Sequence, residues 1–295
     1  MRKISTWKIK KNISYSFFIL PALLIIGFVF VFPVIKNVQL STLDAKFIET
    51  SKFIGLQNYF NAVKDYFFWH ALIILLIYVI IYTVGVFIVG FITALLLDKS
   101  TARYRSIFRT FFILPYAIPD VVAGMIGLWM LDYQFGIVNY LLTTLHLVKE
   151  PVLWLNSPKL ALMTVISIEI WRLFPLHTLV IFAGLQDVPK ELYEAADIDG
   201  AGGVIKFFKI TLPYLKQVLA ILFTLTIIWC FRRFTLIWLL TRGGPDRGTE
   251  TVVIQIYSYA FNFNKMGYAA AIGNILLLIT IGMVIFYFIY SRKET

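Results

Sequence analysis

The chain has 295 residues, 60% of them hydrophobic and 15% charged, with a formal net charge of +11. Soluble domains average about 45–50% apolar and about 25% charged residues, so this composition excludes an ordinary water-soluble globule and points to a polytopic membrane protein. The basic excess could suggest nucleic-acid binding, but the lysines and arginines sit in short stretches beside apolar runs, where they read as topology signals; no nucleic-acid partner is expected.

A membrane-crossing helix needs about 20 mostly apolar residues. Six stretches qualify, in the order Tyr15–Ile35, Phe68–Leu97, Phe108–Leu131, Leu160–Leu185, Tyr214–Leu240 and Ala269–Tyr290. The fold class is therefore all-α with six transmembrane helices. The first stretch is read as a retained span, because its apolar part exceeds the 7–15 residues of a signal-peptide core and no small-residue cleavage site follows. The second is long enough to tilt or project. Pro21 lies in the first, Pro115 and Pro119 in the third, and Pro175 is expected to break the fourth. Membrane helices tolerate proline where neighbours satisfy the freed carbonyls.

Lys and Arg set orientation. Arg2, Lys3, Lys8, Lys10, Lys11, Lys99, Arg103, Arg105, Arg109, Lys190, Lys206, Lys209, Lys216, Arg292 and Lys293 fall on one side and outnumber those on the other. Both termini are therefore expected to be cytoplasmic, with residues 1–14 a cytoplasmic tail and 15–295 the transmembrane domain. The opposite loops, about Lys36–Phe67, Asp132–Lys159 and Thr241–Tyr268, are too short for a catalytic domain. Cys230 is the single cysteine, so no internal disulfide can form.

One polar stretch on the cytoplasmic side, within the loop 186–213, interrupts the apolar pattern: "EAADIDGAGGVIKFFKITLP", Glu194–Pro213. Helix formers run into Asp199-Gly200, a stop signal, and a second helix restarts after Gly202-Gly203 with Val204, Ile205, Phe207, Phe208 and Ile210 as an apolar stripe. Leu212-Pro213 is expected to end it and begin the fifth span. A short helix–turn–helix of this kind can pass a push from a cytoplasmic partner into a membrane helix; an ordinary amphipathic surface helix would look alike on periodicity.

The spacing is more specific than the periodicity. "EAA", three residues, Gly200, nine residues and "ITLP" resemble the signature loop of ABC importer permeases. The likeness continues through "ILPALLIIGFVFVFPVI", "FIGLQNYFNAV", "RTFFILPYAIPDVVAGMIGLWM", "WRLFPLHTLVIFAGLQDVPKELYEAADIDGAG" and "LLTRGGPDRGTET", over nearly the whole chain. These resemble the carbohydrate branch, in particular the larger permease subunit of maltose-type and glycerol-3-phosphate-type importers. The large extracytoplasmic insertion of some maltose-type subunits is absent, and "FRRF" stands where neutral polar residues are common.

The resemblance implies a permease subunit of an ATP-driven sugar or oligosaccharide importer in a bacterial or archaeal cell membrane. It implies three partners: a second permease subunit, a cytoplasmic ATPase dimer that holds the ATP and Mg, and an extracytoplasmic solute-binding protein. It assigns Glu194, Ala195, Ala196, Asp197 and Gly200 to ATPase coupling. It also aligns Arg172, Leu173 and Leu176, and Thr226, Trp229, Cys230 and Arg233, with two sugar-contacting segments; the latter four fall at helical spacing on one face.

Arg172, Arg232 and Arg233 lie within expected spans, where ionisable groups are costly and mark a cavity or a partner. Guanidinium pairs with carboxylate or phosphate, which raises the alternative of an acidic or phosphorylated sugar derivative. Arg233 could equally pair with the partner subunit, and the sequence leaves open whether Arg232 and Arg233 face the pathway or that subunit. Glu169 is expected to partner Arg172 or make a polar helix contact, and Asp120 to cap a restarted helix rather than bind solute. Trp171 and Trp238 read as interfacial anchors and His177 as a packing histidine; His70 and His146 share no metal-ligand spacing with it. No G-x-x-x-x-G-K-[ST] loop occurs, so ATP hydrolysis belongs to another subunit, and no catalytic set is evident. A secondary transporter would need paired membrane acids or symmetric broken helices, a membrane enzyme would need a catalytic constellation, and a channel leaves the loop motif unexplained.

Overall fold

The computed structural model describes residues 19–46 and 51–292. The expected tail 1–14 and the start of the first span, residues 15–18, lie outside the described residues. Two compact units form, one from the chain up to Asp65 with Ile256–Leu277, the other from Tyr66–Gln255 with the residues from Leu278 onward.

In the first unit, α1 (Ile19–Ser41) is 23 residues of almost uninterrupted apolar sequence. It contains a π turn at Gly27–Val31, where the Phe32 N–H reaches back to the Gly27 carbonyl. Pro33 follows at once. A proline ring clashes with the carbonyl four residues back, and one widened turn relieves that clash. A two-stranded antiparallel pair follows, β1 (Leu43–Asp44) with β2 (Lys52–Phe53), then α2 (Gln57–Lys64). Buried polar groups tie this unit together. Asn37 donates to Asn274 at 2.7 Å, Asn274 donates to the Tyr59 hydroxyl at 2.9 Å, and Tyr59 meets Ser41 at 2.7 Å. Asp65 accepts from Tyr268 at 2.8 Å and Tyr259 at 3.2 Å.

The second unit is built on two long helices, α3 (Tyr66–Lys99) and α7 (Pro158–Gln186). Glycine lets them approach: a Cβ on Gly90 would lie 2.8 Å from the His177 Cβ. Between them come α4 (Ala102–Ala117), α5 (Asp120–Met130) and the short α6 (Ile137–Thr144). After α7 come α8 (Lys190–Ile198), α9 (Gly203–Cys230) and α10 (Thr235–Thr241). The chain closes with α11 (Val252–Tyr257) and α12 (Met266–Arg292). Ala94, Leu97, Ile181, Phe182, Leu185, Leu215 and Leu222 make a core where α3, α7 and α9 meet.

Five helices are long and apolar enough to cross a membrane, or six if the bent pair α4–α5 counts as one. The third span restarts after Pro119, as expected, and at a sharp angle: Thr110–Ala117 and Asp120–Met130 bend by 101°, because Pro119 forces Ile118 out of the helical region. Two expectations need correction. The fourth is not broken at Pro175, since α7 stays helical throughout; His177 Nδ1 and Thr178 Oγ1 contact the carbonyls of Leu173 and Phe174 there. The fifth does not start after Pro213 or reach Leu240. It runs as one helix from Gly203 to Cys230 through a second π turn, Phe207–Thr211, set before Pro213 just as the first is set before Pro33.

Candidate functional site

The bent pair α4–α5 breaks at Ile118–Pro119, and α9 ends at Cys230, where a turn leads into the short α10. Side chains from the break and the turn meet on the middle of α7. Asp120, the first residue of α5, lies 2.8 Å from Arg172 Nη1 and 3.7 Å from Arg233 Nη1. Glu169, one helical turn before Arg172, lies 3.6 Å from Arg172 Nη2 and 3.6 Å from Arg233 Nε. Two guanidinium groups thus face two carboxylates. Backbone freed of its helical bonds is tolerated at membrane depth only where protein or a cavity receives it, and this cluster is where the break and the turn lead.

The surroundings are polar where α3 passes. Tyr78 and Tyr82, stacked at 5.9 Å between ring centres, are buried within electrostatic reach of Glu169 and Arg233. Their hydroxyls, Thr83 Oγ1 and the Arg172 Nε find no hydrogen-bond partner among the described residues. Hydrogen-bonding capacity therefore gathers around the ion pairs.

The residues expected to line a solute path divide into two groups. Arg172 and Arg233 converge, joined by Glu169 and by Asp120, which sequence reasoning had assigned to a helix cap. Arg233 does not share a helical face with Thr226, Trp229 and Cys230, because α9 ends at Cys230 and Arg233 rides on the turn beyond it. Thr226 is fully buried and its hydroxyl is engaged twice, donating to Leu222 and meeting His177 Nε2 at 2.9 Å. Cys230 and Leu173 are buried as well, while Leu176 and Trp229 are half-buried. Arg232 stays exposed and outside the cluster. The cap position of α5 is Pro119; Asp120 is the first helical residue and its side chain pairs with both arginines, which the expected capping role had not included. Glu169 does partner Arg172, as expected, and Arg233 besides. Sequence reasoning missed Tyr78 and Tyr82; two tyrosines four residues apart, deep in an apolar run, were the available signal.

The polar stretch Glu194–Pro213 begins on an exposed element. α8 buries none of its residues; Glu194, Ala195 and Asp197 are exposed and Ala196 half-buried. Asp199 and Gly200 end it, with Gly200 at φ +72 in open space. A Lys206–Asp197 ion pair and a 2.9 Å contact between the Tyr193 and Thr211 hydroxyls fasten α8 to the start of α9. Ile198 is 88% exposed, with Val204, Ile205 and Phe208 also open, an apolar patch left uncovered among the described residues.

Residues 86–295 match the family of binding-protein-dependent transport system inner membrane components. The chain belongs to that family. This permease is 34% identical over 278 residues, 94% of each chain, to a probable ABC transporter permease protein of Pyrococcus horikoshii. It is 31% identical to a trehalose/maltose transport system permease protein of Thermococcus litoralis, covering 93% of this chain and 92% of that one. The permease also shares its fold with a chain of a bacterial alginate ABC transporter solved with its alginate pentasaccharide-bound periplasmic protein. The TM-score is 0.86 at 22% identity, with 98% of each chain covered. Both the charged cluster and the α8–α9 element lie inside the region matched to the family.

Proposed function

We propose that this permease is the membrane subunit of an ATP-driven importer for a sugar or oligosaccharide, and that the charged cluster is part of the solute path. The observation that carries the path assignment is the meeting of the bent pair α4–α5, the turn after α9 and the middle of α7 at four charged side chains. Discontinuous helices near the bilayer midplane are a recurrent way to build a solute site, and charged groups inside a membrane mark such sites by default. Sugar chemistry is supported by the named function of the trehalose/maltose relative.

The reading extends to partners. A second permease subunit completes the path, a cytoplasmic ATPase dimer with ATP and Mg docks on α8 and the exposed patch at Ile198–Phe208, and an extracytoplasmic solute-binding protein delivers the sugar. Both termini and the loop 186–213 are cytoplasmic, in a bacterial or archaeal plasma membrane. Glu194, Ala195, Ala196, Asp197 and Gly200 form the contact: small side chains admit close packing, and the carboxylates pair with basic groups. An acidic or phosphorylated sugar is not the favoured solute, because each arginine of the cluster already has carboxylate partners.

The test is purification of the tagged permease from native membranes in mild detergent, with mass spectrometry and an ATPase assay. A second permease and an ATPase should be recovered, and Glu194→Lys should lose the ATPase. A chain recovered alone from wild-type membranes, without ATPase activity, would overturn the reading.

A further inference from the structure

The two carboxylates of the cluster are not equivalent. Glu169 is 1% exposed and is shared between arginines on two elements, so it is a fixed part of the interior. Asp120 is 35% exposed, stands at the first position of α5 beyond the 101° bend, and contacts the same two arginines from the open side. A solute group approaching the arginines from that side meets Asp120 first.

A carboxylate in that position acts on solutes in two ways. It occupies guanidinium donors that would otherwise form paired bonds with a carboxylate or phosphate, and it repels anions directly. A sugar hydroxyl faces neither obstacle, since it can donate to the carboxylate and accept from the guanidinium at once. We infer that Asp120 sets the charge selectivity of the permease: it is the exposed counter-ion that keeps the Arg172–Arg233 pair neutral, so that uncharged sugars are accepted and uronates and sugar phosphates are disfavoured. The inference rests on the cluster lying in the solute path.

The experiment uses the purified complex, without solute-binding protein, so that selectivity upstream of the membrane plays no part. Binding of a panel of neutral oligosaccharides and of their uronate counterparts is measured by saturation-transfer NMR titration, and the ratio of uronate to neutral affinity is read. A neighbouring charge within about 4–6 Å moves the equilibrium of a carboxyl group by 1–3 pKa units. Asp120→Asn, which leaves the cluster with a net positive charge, should therefore raise the ratio about tenfold or more. Asp120→Glu should keep it near wild type. A wild-type complex that prefers uronates, or an unchanged ratio in Asp120→Asn, overturns the inference while leaving the sugar reading intact. If no member of either panel binds the wild-type complex, the sugar reading fails and takes the inference with it. Should the Asp120→Asn complex not be recovered intact, Arg233→Gln serves in its place: it leaves a net negative charge and must lower the ratio, and an unchanged ratio again overturns the inference.

Discussion

At the scale of single residues, burial and partner decide what a side chain does. Thr226 shows this. Its hydroxyl is shared between its own helix and the imidazole of His177, fully buried on α7. Replacing Thr226 by Val keeps the shape but leaves His177 Nε2 without its partner, at a cost of about 1–3 kcal/mol. Lowered thermal stability of the detergent-solubilised complex is expected, with sugar selectivity unchanged; a shift in selectivity at wild-type stability would return Thr226 to the solute path. Glycine matters for the opposite reason. At Gly90 any side chain would press on His177, 2.8 Å away. Gly90→Leu should reduce the yield of folded permease in membranes, since overpacking costs about 1–3 kcal/mol or more.

Among elements, the α8–α9 connection carries the mechanical argument. Because α9 is continuous from Gly203 to Cys230, a displacement at the exposed end reaches the turn that holds Arg233 without passing a hinge loop. The π turn before Pro213 widens the helix without cutting it. The angle between α8 and α9 depends on Gly200, whose positive φ costs other residues about 1–2 kcal/mol. Space there is open, so strain and not collision is the issue. Gly200→Val should leave the permease folded and membrane-inserted while lowering sugar-stimulated ATPase activity several-fold. Gly200→Asn, which tolerates the left-handed conformation better, should retain most of it. Equal activity in both would remove the turn from the coupling argument.

For the whole molecule, the questions are orientation and assembly. No residue in the apolar window of α1 is buried among the described residues, which leaves its surface for lipid or another subunit. The excess of basic residues on one side predicts that Ile198 and the termini share the cytoplasm while the region around Phe60 faces outward. Cys230 is buried and unpaired, so single cysteines can be read against a quiet background. In intact cells a membrane-impermeant maleimide should label Phe60→Cys and spare Ile198→Cys; inside-out vesicles should give the reverse. The same side labelled at both positions would overturn the six-span topology.

The sequence by itself determined the class, the approximate places of the apolar spans and the helix–turn–helix that interrupts them, because each is written in local terms. Apolar runs near membrane length, basic residues at their ends, and the fixed spacing from Glu194 to Pro213 need no partner from elsewhere in the chain. The interior of the site was not legible in this way. Asp120 lies 52 residues before Arg172 and 113 before Arg233, and nothing local says that a carboxylate after Pro119 will turn inward rather than cap its helix. Periodicity placed Arg233 on a helical face that ends three residues too early. The course of the chain after the bend at Pro119, the close approach of α3 to α7 and the pairing of charges depend on which helices pack together. Burial of a charge is tolerable only beside its counter-charge, and the tertiary structure alone brought the four charged residues to one place.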